Sequence, residues 1–175
     1  QVDRRAAELA DASFAQNELD LMTRETASNE EVRAHALRLN PSFGEEHVIA
    51  FVAEPPSQAG LAQALSRYHQ SRLSGLRCLL APYDDGLLYV ASAESDVVDG
   101  RAKLDELVGI LRADVLEHEV SAPVGVSRVH FDLGQMGDAV LEARRAALIA
   151  RRRGGGTVHY GDLGVLQALL PCAGD

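Results

Sequence analysis

With 175 residues, 46% of them hydrophobic, the chain has the apolar material for one domain with a true core, and about thirty residues beyond that for an extra helical segment. Its formal net charge of −9 excludes a nucleic-acid grip by the chain itself, because phosphate contacts need a basic face. Cys78 and Cys172 are the two cysteines, too far apart in sequence to suggest a disulfide framework or a metal set.

The first stretch, Val2 to about Arg24, lacks Pro and Gly. Its Val2, Ala6, Leu9, Ala10, Ser13, Leu19 and Met22 roughly follow helical spacing. Ser28 and Asn29 then offer caps, with Glu30 and Glu31 in the first turn of a shorter helix that ends near Asn40-Pro41. Residues 1–40 are therefore expected to form an N-terminal helical segment, a linker or dimerisation element, and residues 41–175 the globular domain. Within the segment, Leu9, Phe14, Leu19 and Met22 are the candidate interface residues. They do not keep a strict heptad, so a long coiled coil is not expected.

His47-Val-Ile-Ala-Phe-Val-Ala53 is a compact run of apolar, β-branched and aromatic residues stopped by Pro55-Pro56, which predicts a central strand buried on both faces. A helix is expected from about Gln58 to Leu73. Leu76–Ala81 and Leu87–Ala91 flank Tyr83-Asp84-Asp85-Gly86, a hairpin signal in which Gly86 is expected to supply a positive φ. Val97 to about His118 reads as a helix with an apolar stripe at Leu104, Leu107, Val108, Leu111, Val115 and Leu116.

Val124–Val129 is a predicted strand and Gln135–Arg153 a helix. Ala139, Ala143, Ala146 and Ala150 give that helix a small-residue face able to sit close on a sheet. Arg151-Arg152-Arg153 complement the negative end of its dipole, and Gly154–Gly156 stop it. Thr157–Tyr160 is a last short strand, and Leu163–Leu170 a final helical turn or two. The order β-α-β-β-α-β followed by α-β is a split βαβ plan, so the expected fold is α+β, two layers, with a mainly antiparallel sheet and helices packed on it.

Three segments near the C-terminus carry a family resemblance: Pro123-Val-Gly-Val-Ser-Arg128, Ala139-Val-Leu-Glu-Ala143, and Val158-His-Tyr-Gly-Asp-Leu-Gly164. In this order they resemble the GGDEF-like domain of PucR/CdaR-type bacterial transcriptional regulators. There the pattern is roughly Val-Gly-Val-Gly-Arg, Glu-Ala…Ala and Tyr-x-Asp-Leu-Gly. Ser127 replaces the second glycine, and Ala139-Val140 stand where family members often carry Ser-Tyr. The resemblance covers about Asn29 to the end. It implies a nucleotidyl-cyclase-like palm that normally carries no cyclase chemistry, and a helix-turn-helix domain beginning soon after Asp175. Arg is abundant and Lys103 is the only lysine, a bias of high-GC bacterial genomes.

A GGDEF cyclase holds two metal ions on carboxylates at the end of its first strand and in a Gly-Gly-Asp/Glu-Glu-Phe hairpin, with glycines that let phosphates approach. At those places this sequence offers Glu54, against prolines, and Asp84 and Asp85, where ordinary turn formers sit. No catalytic residue, metal site or cofactor is expected. Arg144, Arg145 and Arg151–Arg153 read as a solvated helix face, with a phosphate or partner contact as the alternative. None of the histidines at 35, 47, 69, 118, 130 and 159 falls at ligand spacing, and no nucleophile elbow, P-loop or dinucleotide fingerprint is present.

With no membrane-length apolar run and no signal-peptide pattern, the chain reads as cytoplasmic. Opening on Gln1, it also reads as part of something longer. The expected role is a non-catalytic regulatory and dimerisation module, probing DNA only through the absent domain, with a homodimer as its partner and a small-molecule effector undefined. The alternatives are a small-ligand or nucleotide sensor and, further off, a divergent nucleotide cyclase.

Overall fold

A computed structural model describes residues 8–9, 12–53, 76–93, 100–112 and 122–164. Six strands form one sheet: β1 (Glu8–Leu9), β2 (His47–Ala53), β3 (Leu76–Tyr83), β4 (Gly86–Ala93), β5 (Val124–Val126) and β6 (Thr157–His159). Their spatial order is β1-β3-β4-β2-β5-β6. The three inner pairings, β3–β4, β4–β2 and β2–β5, are antiparallel, while the outer pairings of β1 with β3 and β5 with β6 are parallel. With β4 inserted between the co-directional β2 and β3, the sheet has the split βαβ arrangement of a palm.

The predicted central strand is central. Every residue of β2 is buried, because β4 and β5 flank it and helices cover both of its faces. Val48, Ala50 and Val52 meet Leu104 and Leu107 of α3 (Gly100–Arg112) on one face. Ile49, Phe51 and Ala53 point the other way, into a core shared with α1 (Ala12–Met22), α2 (Asn29–Leu39) and α4 (Met136–Arg152). Helices on both faces make a third layer beyond the two expected, since β2, β3 and β4 are apolar on both sides.

Local signals set the helix ends. Ser28 Oγ accepts from the Glu31 N–H at 3.2 Å and the Glu31 carboxylate accepts from the Ser28 N–H, a capping box that contributes about 1 kcal/mol to α2. Gly154, Gly155 and Gly156 follow α4 at φ of 93°, 125° and 87°, a run that ordinary residues rarely adopt. The N-terminal stretch departs from the single expected helix. Glu8–Leu9 pair with Leu79–Leu80 at the sheet edge, and the helix begins only at Ala12. The expected helix 58–73, the flanks of helix 97–118 and the segment beyond Gly164 lie outside the described residues.

Gly125 positions the sheet against α4. A Cβ on it would sit 2.0 Å from the Ala143 carbonyl oxygen and 2.2 Å from the Ala147 N, both backbone atoms that cannot yield. Together with Ala139, Ala143, Ala146 and Ala150, all buried, it brings helix and strand into direct backbone contact.

Candidate functional site

The β3–β4 hairpin is the place where a palm-type cyclase would hold metal. Its ladder runs unbroken from Leu76 opposite Ala93 to Tyr83 opposite Gly86, leaving Asp84 and Asp85 as a two-residue loop. Positive φ falls on Asp84, at 51°, rather than on Gly86. Gly86 is needed for a different reason: a Cβ there would lie 2.3 Å from the Phe51 ring and 2.5 Å from the Val52 carbonyl.

Both acids are met by cations of α4. Arg144 Nη2 lies 2.8 Å from Asp84 Oδ2, and Arg151 Nη2 lies 3.6 Å from Asp85 Oδ2. Gln16 of α1 closes the other side of Asp84. Its Oε1 accepts from the Asp84 N–H at 2.9 Å, and its Nε2 donates to Asp84 Oδ1 at 3.1 Å. The Arg144 guanidinium also lies 5.2 Å from the Tyr83 ring centre and 5.9 Å from that of Phe51. The two arginines are seven residues apart on α4, roughly 10 Å along its axis. Asp84 and Asp85 are thus drawn to separate cations, whereas a metal clamp needs carboxylates converging on one point. This arrangement does not fit the metal pair of a cyclase. Glu54 lies outside the described residues, and among those described no group of three or more His, Cys, Asp or Glu side chains is arranged to hold a metal.

A second polar cluster lies buried between β2, the end of β5 and α4, and sequence reasoning did not find it. Glu142 is 8% exposed at its side chain, and its carboxylate accepts from the Arg128 N–H at 3.1 Å, from Arg128 Nη2 at 2.6 Å and from His130 Nε2 at 3.2 Å. The His130 ring stacks on His47 with centroids 5.7 Å apart. His47 Nδ1 donates to the Glu45 carbonyl at 2.9 Å, and its buried Nε2 has no hydrogen-bond partner among the described residues. Ser127, where the pattern has glycine, uses its hydroxyl to join strands. It accepts from the Ile49 N–H at 2.9 Å and donates to the Arg128 carbonyl at 2.8 Å.

Burial alone would raise the Glu142 carboxyl, but hydrogen bonds from His130 and Arg128 outweigh it and hold the group down at about 2. Burial pulls the other way on His130, and the Glu142 carboxylate overcomes it to leave the imidazole above its ordinary 6.5. For His47, burial wins and lowers it to about 4, helped by the neighbouring charge of His130.

The model of the GGDEF-like domain family matches residues 23–149, more than half of the chain. The chain belongs to the GGDEF-like domain family. Among solved structures it is similar to the FimX GGDEF domain from Pseudomonas aeruginosa, at 14% identity, 86% of this chain, 94% of that chain and a TM-score of 0.42. No curated protein matches it.

Within this GGDEF-like domain, the Arg128–Glu142 ion pair ties the Val-Gly-Val-Ser-Arg segment to the Glu-Ala segment of α4. The expected solvated arginine face is only partly so. Arg144 is half-buried and, like Arg151, engages the hairpin, whereas Arg145 and Arg152 are exposed. The four candidate interface residues separate. Leu19 and Met22, at 0% and 2% exposure, pack into the domain's own core with Ala15 and are not free to face a second molecule. Leu9 lies on the edge strand β1, and Phe14 is exposed on α1. The N-terminal segment 12–39 thus shares one core with the sheet, and the family match begins inside it at residue 23. No helix among the described residues is long and apolar enough to cross a membrane.

Proposed function

We propose that this chain is a non-catalytic regulatory module, the GGDEF-like domain of a PucR/CdaR-type transcriptional regulator in a bacterial cytoplasm. It relays a signal through contacts between two copies to a C-terminal helix-turn-helix domain outside this sequence. The observation that carries the non-catalytic reading is the engagement of both hairpin carboxylates by Arg144 and Arg151, with Gln16 closing over Asp84. Phosphoryl transfer needs those groups free for divalent cations, and here their negative charge is already matched by side chains of the same chain. The regulator assignment is supported by the three C-terminal segments, two of which the Arg128–Glu142 pair joins across β5 and α4. With a net charge of −9, the module leaves DNA contact to the other domain.

The experiment that tests this reading has two arms. The chain is incubated with GTP or ATP and magnesium or manganese, and the mixture is analysed for cyclic products. A thermal-shift panel of nucleotides then runs beside it, because a ligand that binds only the native state raises the melting temperature. The scaffold reading expects no product and a silent panel. A cyclic product would make the protein an enzyme, and an upshift confined to one nucleotide would make it a sensor.

A further inference from the structure

We propose that the outward face of α4 pairs with the same face of a second copy of this chain, the two helices antiparallel about a two-fold axis at Arg145. The inward side of this 17-residue helix is used up: Met136, Ala139, Val140, Ala143, Ala146, Ala147 and Ala150 are buried against the sheet and its neighbouring helices. The outward side is Asp138, Leu141, Arg145, Leu148 and Arg152, all exposed. These five recur at alternating spacings of three and four, the spacing of a helix–helix seam. Leu141 and Leu148 are 42% and 38% exposed, unusual for leucines on a helix whose other face is fully buried.

The order of residues along this stripe selects its occupant. Asp138 stands seven residues before Arg145 and Arg152 seven after, with a leucine between on each side. In an antiparallel pair centred on Arg145, each Asp138 faces Arg152 of the second copy, and each Leu141 lies within one residue of the level of Leu148 of the second copy. Opposed helix dipoles add to the match. A parallel pair would instead set Asp138 against Asp138 and Arg152 against Arg152. A foreign acidic helix would suit Arg145 and Arg152 and meet repulsion at Asp138. Only the self-complementary antiparallel pair satisfies both ends, which is the property of an isologous interface. Arg145 at the centre meets its own copy. Its stem lies along the leucines while the guanidinium reaches solvent, so the repulsion is screened but still weakens the pair.

A helix of this length is about 25 Å long, and one helix pair buries less than a standard interface, so a dimer with a dissociation constant of roughly 10–100 μM follows. This inference deepens the relay reading and rests on it only for the purpose of the pairing. Its failure shows in the oligomeric state, whereas failure of the non-catalytic reading shows in nucleotide turnover.

Sedimentation equilibrium of the 175-residue chain is run at concentrations up to about 300 μM, with circular dichroism confirming that each variant is folded. Asp138→Arg and Arg152→Asp are each expected to be monomeric alone, because each sets like charges together at both ends. Mixed in equal amounts they are expected to form a heterodimer, since every end is then matched. Arg145→Leu, at an exposed mid-helix position that tolerates leucine, is expected to tighten the wild-type dimer at least tenfold, and Leu148→Asp to weaken it as much. A wild-type chain that is monomeric throughout overturns the proposal. So does a mixture of folded charge variants that stays monomeric, or an Arg145→Leu protein no tighter than wild type.

Discussion

Replacing Glu142 with glutamine removes one charge from the buried cluster and leaves its volume. In the folded protein this carboxyl is held down at about 2, against 4.5 when unperturbed, and at about 1.4 kcal/mol per pH unit the difference is roughly 3 kcal/mol. That figure is a ceiling. The Arg128 side chain is 58% exposed, and solvent screens its share, so about 2 kcal/mol is expected where both partners are charged. The loss should depend on pH through His130. Its raised folded value means that its contribution is complete below 6.5 and fades as pH rises through the folded value. At pH 5.5 His130 is a cation and glutamine cannot answer it. Well above that folded value the ring is neutral, its Nε2 can accept from the new amide, and about 1 kcal/mol should be lost. Urea unfolding of wild type and Glu142→Gln at both pH values measures this, provided the m-value is unchanged. Equal losses at the two pH values, or losses under about 0.5 kcal/mol at both, would refute the assignment of Glu142 to a charged pair with His130.

Three further outcomes follow from the same structure. Gly125→Ala should cost more than about 3 kcal/mol or prevent folding, since its Cβ would fall within 2.2 Å of two backbone atoms of α4; a melting temperature near wild type would contradict that packing. His47 is held neutral, its folded value lowered to about 4, while the unfolded chain takes up a proton below 6.5. Its contribution is therefore complete above 6.5 and lost as pH falls towards 4, by up to about 3 kcal/mol, and His47→Leu should show a shallower fall of urea midpoint over that range than wild type. Arg144→Ala breaks the 2.8 Å pair with Asp84 and the contacts with the Tyr83 and Phe51 rings, but the side chain is 39% exposed, so only about 1 kcal/mol should be lost; a double-mutant cycle with Asp84→Ala giving no coupling would remove the pair from the account.

Much of this architecture was legible because the signals are local. The apolar run at 47–53, the β3–β4 hairpin, the Ala-spaced face of α4 and the Ser28 cap each act over a few residues, and each is found where the sequence puts it, although the hairpin turns on Asp84-Asp85 and not on the Asp-Gly step. What escaped depends on groups distant in the chain. Strand β1 exists because Glu8–Leu9 meet an edge of β3 some seventy residues on, so local helical spacing misled. Leu19 and Met22 looked like an interface stripe, but only the placement of α1 on the sheet shows that the domain itself covers them. The partners of Asp84 come from α1 and α4, and the Glu142 cluster gathers side chains from β2, the segment after β5 and α4. A charge pattern shows that such residues exist, not which of them meet. Glu142 did leave one trace: it matches the Glu-Ala of the family pattern, as Arg128 matches its arginine.

The central claim is that the palm is a scaffold whose hairpin acids are committed to α4. The most direct measurement is pyrophosphate release from GTP with manganese by the purified chain, beside an Asp84→Asn, Asp85→Asn double variant. The account predicts background release from both proteins. Release by the wild type that grows with time and is abolished in the double variant would contradict it.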